Sequence, residues 1–116
     1  MKQGKVWGVT ETLLKKTNLH IEGLVIEPFK RCSMHKHERK WNGFYCASGR
    51  LLIEVRKNSY NLIDTTELLQ GEFMAVPPGE FHRFVTESEG ATGIELYWPD
   101  DLGDDIIRED VGGDTK

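Results

Sequence analysis

The sequence is poor in the features that define several large protein classes. Only two of its 116 residues are cysteines, Cys32 and Cys46. That is too few for a disulfide scaffold and fits a reducing compartment. No apolar run reaches the ~18 residues that a membrane-spanning helix needs. The opening residues 1–16 also lack the unbroken apolar stretch of a signal peptide. A cytoplasmic protein without a membrane partner is therefore expected. A basic surplus is missing too. The formal net charge is −4; residues 99–116 hold seven acids against two bases, a net −5, which leaves +1 on residues 1–98. Neither part has the positive charge of a nucleic-acid binder. No segment carries an apolar stripe at helical spacing over three turns. The best helical candidate is the short stretch 101–108.

The remaining composition is that of one globular domain, 38% hydrophobic and 29% charged. A chain of this length buries enough core to fold without a metal or a disulfide. Short apolar segments separated by turn residues run through it. Residues 20–28, 41–48, 50–57, 60–69, 72–78, 81–87 and 92–98 read as strands. In residues 50–57, Leu51, Ile53 and Val55 alternate against Leu52, Glu54 and Arg56. Turn signals lie between the segments, among them Ser48-Gly49-Arg50, Gln70-Gly71 and Pro77-Pro78-Gly79. This spacing predicts an all-β sandwich or barrel. The expected division is a single domain over 1–116, with a core of about 20–98 and a C-terminal tail over 99–116. In that tail Leu102, Ile106 and Ile107 are expected to pack on the body, and the last residues to be loose.

Four histidines are present, and three have informative neighbours. His35 and His37 are one residue apart, which on a strand turns both imidazoles to the same face. Such a pair alone is also common on solvated surfaces. Downstream, a strand entered at Gly71 is stopped at Pro77 and turned at Gly79, and His82 opens the returning strand. Pro77 cannot donate into a ladder and Gly79 can take φ > 0, so a tight turn is expected here.

These two elements resemble the paired motifs of the cupin superfamily. The second motif is matched at Gly71, Pro77, Gly79 and His82, with Thr86 at its terminal asparagine. The first is matched at His35, His37 and Gly49. Phe29 stands at its leading glycine and Asn42 at its metal-binding glutamate. A narrower resemblance is to the cupin domain of type II mannose-6-phosphate isomerases. It rests on Val6-Trp7-Gly8 with Glu11, on His82-Arg83, and on the run from Leu102 to Asp110. Against that branch, Ser33 replaces a glutamine, Glu38 an arginine and Asn42 the glutamate.

The resemblance implies a small cupin barrel, a jelly-roll-like double-stranded β-helix, with an N-terminal arm and an acidic C-terminal tail. It also implies a divalent metal (Zn, Ni, Mn or Fe) held by His35, His37, Asn42 and His82. Asn42 removes the glutamate's charge but keeps an oxygen that can coordinate. Glu38 could supply the oxygen instead, but strand alternation puts it on the other face from His35 and His37. A polar lining that has lost its metal is the competing expectation.

Two functions are open. One is an enzyme acting on a sugar or sugar phosphate, such as an aldose–ketose isomerase, with Glu80 or Glu95 as the base and no catalytic residue singled out. The other is a non-catalytic sensor or accessory module that binds a small sugar-like molecule. Trp41, Tyr45 and Tyr97 are candidates for either a sugar pocket or plain core. The basic run from Lys30 to Lys40 could draw anionic substrates in. His20 and Arg83 are expected in surface and salt-bridge roles, and a homodimer is the family expectation.

Overall fold

The computed structural model describes residues 1–57, 62–100, 109 and 111–115. The short helical candidate over 101–108, with Leu102, Ile106 and Ile107, lies outside them. Among the described residues every regular element is a strand. These are β1 (Lys2–Lys5), β2 (Gly8–Lys16), β3 (Leu19–Ile26), β4 (Lys40–Gly49), β5 (Leu51–Lys57), β6 (Leu62–Leu68), β7 (Phe73–Val76), β8 (His82–Val85) and β9 (Ala91–Pro99).

Two antiparallel sheets result, one in the order β1-β2-β3-β9-β4-β7 and the other β6-β5-β8. They pack face to face into a small β-barrel. Leu24, Ile26, Phe44, Cys46 and Val76 from the first sheet meet Leu51, Ile53, Val55, Leu68 and Phe84 from the second in one buried cluster. Strand alternation explains the choice. In β5, Leu51, Ile53 and Val55 are all buried to 5% exposure or less, as the sequence pattern requires. Leu52 on the opposite face is buried as well.

The N-terminal arm is itself strand. Residues 2–16 form β1 and β2, which extend the larger sheet beyond β3. Trp7, in the link between them, is buried and meets Phe84 edge-on at 4.9 Å between centroids. That contact ties the arm to the second sheet.

Register sets what faces the interior. Glu22 lies directly opposite Glu95, which lies opposite Phe44. One step along, His20 pairs with Tyr97 and Tyr97 with Asn42, while Lys15 pairs with His20 on β2. Cross-strand partners share a face, so Lys15, His20, Tyr97 and Asn42 form one row across four strands.

Candidate metal centre

Residues 31–37 carry the first two histidines. They are not a regular strand, contrary to the alternation argument. They run beside β8 and touch it through isolated bridges at Arg31–Val85 and His35–His82. The His35 and His82 backbones exchange both hydrogen bonds, at 3.0 and 2.8 Å. Gly79, at φ +88°, donates its N–H to the His37 carbonyl at 2.7 Å. The Pro77-Pro78-Gly79 turn thus holds the segment that bears His37. Thr86, in the motif's asparagine position, is buried and anchors the start of that segment. Its Oγ1 donates to the Glu27 carbonyl at 2.6 Å and accepts from the Lys30 N–H at 3.1 Å.

The same-face expectation for His35 and His37 nevertheless holds. Their ring centroids are 5.1 Å apart, and His82 lies 4.7 Å from His35 and 5.6 Å from His37. One ring nitrogen from each lies within 4.8 Å of the others.

The outer hydrogen bonds decide what the inner nitrogens can do. His35 Nδ1 donates to the Ser33 carbonyl at 2.7 Å, and His82 Nδ1 to the Glu80 carbonyl at 2.9 Å. A carbonyl can only accept, so with its proton on Nδ1 each ring has its Nε2 lone pair turned inward, as a metal-ligating imidazole does. His37 Nε2 is buried without any hydrogen-bond partner. Burial, followed by the neighbouring imidazoles, lowers the His37 pKa from 6.5 to about 4. Burial lowers that of His82 as well. Three imidazoles converging on one point suit a divalent transition ion.

Asn42 completes the set. It is fully buried, and its Nδ2 donates to the Leu96 carbonyl at 3.2 Å. That bond fixes the amide so that Oδ1 faces His82 Nε2 at 2.8 Å. Both facing atoms are lone-pair donors in the neutral tautomer whose proton sits on Nδ1, against the Glu80 carbonyl. A cation between them would turn this repulsion into shared coordination, so the residues present fit a metal. Glu38 is elsewhere, 68% exposed and paired with Lys36 at 3.0 Å.

Other candidates separate cleanly. Glu80 pairs with Lys57 at 2.9 Å. Arg83 faces away from His82 and binds Glu54 at 2.6 Å, the salt-bridge role expected of it. Trp41 stacks on Trp98 at 6.3 Å and donates to Asp100, and Tyr45 is exposed. Cys46 is fully buried, and burial pushes the Cys32 thiol up to about 12, so neither is poised as a thiolate.

Glu95 is buried beside the centre. Burial raises its pKa, while the Tyr97 hydroxyl and Asn42 amide pull it back down. Its cross-strand partner Glu22 has one buried oxygen without a partner, and its other oxygen binds Thr12 and His20 at 2.9 and 3.1 Å.

His20 corrects a sequence expectation. It is not a surface residue but faces inward, 5.3 Å from the Tyr97 ring. The alternation His20, Glu22, Leu24, Ile26 could have shown it. The apolar residues Ile21 and Val25 on the other face obscured that pattern.

The Cupin domain family model matches residues 24–97. No curated protein matches the chain. Among solved structures, KdgF from Halomonas sp. is similar at a TM-score of 0.72 and 17% identity, covering 87% of this chain and 89% of that one. The cupin domain of Schizosaccharomyces pombe Cnp3 gives 0.69 and 12%, covering 79% and 64%. Bacillus subtilis oxalate decarboxylase, in a structure concerned with its Mn(II) centres, gives 0.74 and 14%, covering 89% of this chain but 28% of that one. At these identities the structural likeness carries the fold alone.

Proposed function

This chain belongs to the cupin family, and from that premise we propose that it binds a divalent metal through His35, His37, His82 and Asn42 and uses it on a sugar or sugar phosphate. The observation that carries the metal is the opposed pair of acceptors, Asn42 Oδ1 and His82 Nε2, beside the orphaned Nε2 of His37. Three imidazoles and one amide leave the ion's full charge in place, which favours an oxygen-rich or anionic ligand.

When bound, the ion would polarise a carbonyl and its neighbouring hydroxyl, the chemistry of an aldose–ketose isomerisation. The chain supplies the rest. Glu95 can hold a proton at its carboxyl, because burial and the facing Glu22 both disfavour its ionised form. Tyr97 and His20 offer polar groups on the same inner wall for ligand hydroxyls. A second reading, binding without turnover, is favoured by Asn42 in place of the family's glutamate.

The test is to load the protein with Mn, Zn, Ni or Fe in turn and follow aldoses and their phosphates by NMR. Interconversion that disappears in His35→Ala and His82→Ala supports the enzyme. A thermal shift with ligand but no turnover supports the binding module. Failure of every metal to bind on calorimetric titration overturns the metal centre.

A further inference from the structure

Open space lies beside His37 and His35. A cavity of about 650 Å³ opens at the turn between β2 and β3 and reaches His37. Its wall holds five cations, Lys15, Lys16, Lys36, Arg39 and Lys40, against one carboxylate, Glu38. Glu38 is already paired with Lys36. None of Lys15, Lys16, Arg39 and Lys40 has an ion-pair partner among the described residues. Lys40 Nζ instead sits over the Tyr97 ring, 5.0 Å from its centroid. Lys15 belongs to the inner-face row that runs through His20 and Tyr97 to Asn42.

A second cavity of about 250 Å³ lies on the other side of His20 and Tyr97, which line both. It reaches His35, and its charged or ionisable wall residues besides the histidine rings include the facing carboxyls Glu22 and Glu95 and the cation Lys5. Among the described residues the site is therefore polarised, with positive charge that no ion pair offsets at one end, the histidines between, and two carboxyl groups against one lysine at the other. Concave walls of one sign focus the field and concentrate counter-ions. An anionic group is drawn to the lysine end in preference to the end that holds Glu22 and Glu95, which orients any ligand that carries one.

We infer that the ligand is a small anion whose phosphate or carboxylate seats against Lys15 and Lys40, with its uncharged hydroxyl-bearing end turned towards the histidines. This rests on the metal-centre reading for the position of the uncharged end. The basic cavity can be tested apart from it.

Calorimetry on the metal-loaded protein would compare a neutral hexose, its 6-phosphate and the corresponding hexuronate. Both anions, or one of them, should bind at least about tenfold more tightly than the hexose, and their ratio tells phosphate from carboxylate. A Lys15→Glu/Lys40→Glu variant, checked for an unchanged circular dichroism spectrum, should lose at least about tenfold in anion affinity while losing none of its metal affinity. Rising salt should weaken the same binding. Equal affinity for hexose and anions, or an unaltered anion affinity in the double variant, overturns the inference. If no metal binds, the metal centre fails by itself. Inorganic phosphate titrated into the metal-free protein then reads the basic cavity directly, and binding that the double variant does not weaken overturns it.

Discussion

Asn42 Oδ1 lies 2.8 Å from His82 Nε2, and when the His82 proton sits on Nδ1, against the Glu80 carbonyl, neither atom has a hydrogen to give the other. The Leu96 carbonyl holds the amide in that orientation and the Glu80 carbonyl holds the imidazole. Two lone pairs at this separation repel one another and cooperate around a cation. In that tautomer the arrangement fits a bound ion and costs the metal-free fold some stability.

Asn42→Asp tests this directly. The carboxylate keeps the shape and adds a negative charge to a site of neutral ligands, so metal affinity should rise by at least about tenfold, or ~1.4 kcal/mol. The same change replaces the donor that Leu96 needs with an acceptor. The metal-free variant should then lose about 1–3 kcal/mol of stability. Calorimetric metal titration and chemical denaturation with a chelator read the two effects separately. Unaltered metal affinity would remove Asn42 from the ligand set.

The metal-free protein should show a pH–stability profile shaped by opposing groups. His37 binds its proton near pH 4 in the fold against 6.5 ordinarily. Between these values the unfolded chain takes up a proton that the native state refuses, so stability falls as pH drops through this window. His82 acts in the same direction. Glu95 acts oppositely. Its folded pKa is raised, so the unfolded chain ionises first and stability falls as pH rises above its ordinary 4.5. Glu95→Gln should therefore raise the thermal midpoint near pH 8 and leave it little changed near pH 4. An equal shift at both would show that Glu95 does not titrate abnormally.

Phe29 adopts φ +56° and is 74% exposed. It stands where the cupin motif has a glycine, and the backbone retains the left-handed conformation that glycine takes without strain. A β-carbon there costs about 1–2 kcal/mol, partly offset by the greater freedom glycine gains when unfolded. The exposed ring gives up little packing. Phe29→Gly should therefore stabilise the protein by up to about 1 kcal/mol in denaturant melts. Destabilisation would mean that the ring contributes more than its exposure implies.

The strands from residue 20 onward were legible because their apolar residues alternate and their turns carry glycine and proline. β5 is the clearest case, since the residues it buries most deeply are the ones its period of two selects. The Trp7 arm was harder. β1 is exposed along its whole length, so its sequence carries no apolar alternation. It is strand because β2 offers it an edge. His35 and His37 show a correct outcome from an incomplete argument. Their shared face comes from bridges to β8 and the Gly79–His37 hydrogen bond rather than from a regular strand. Residues 101–108, which carry much of the narrower resemblance, lie outside the described part of the structure.

By itself the sequence determined the all-β class, the two cupin motifs, and that Asn42 stands where a glutamate would ligate. These follow from local periodicity, turn chemistry and fixed spacing, which need no knowledge of distant partners. Only the tertiary structure decided which way the Asn42 amide points, that His20 and Glu22 line the interior, and that Lys15 and Lys40 share one cavity. Register between strands far apart in the chain set those relations, because a one-residue slip would send each of these side chains to the opposite face.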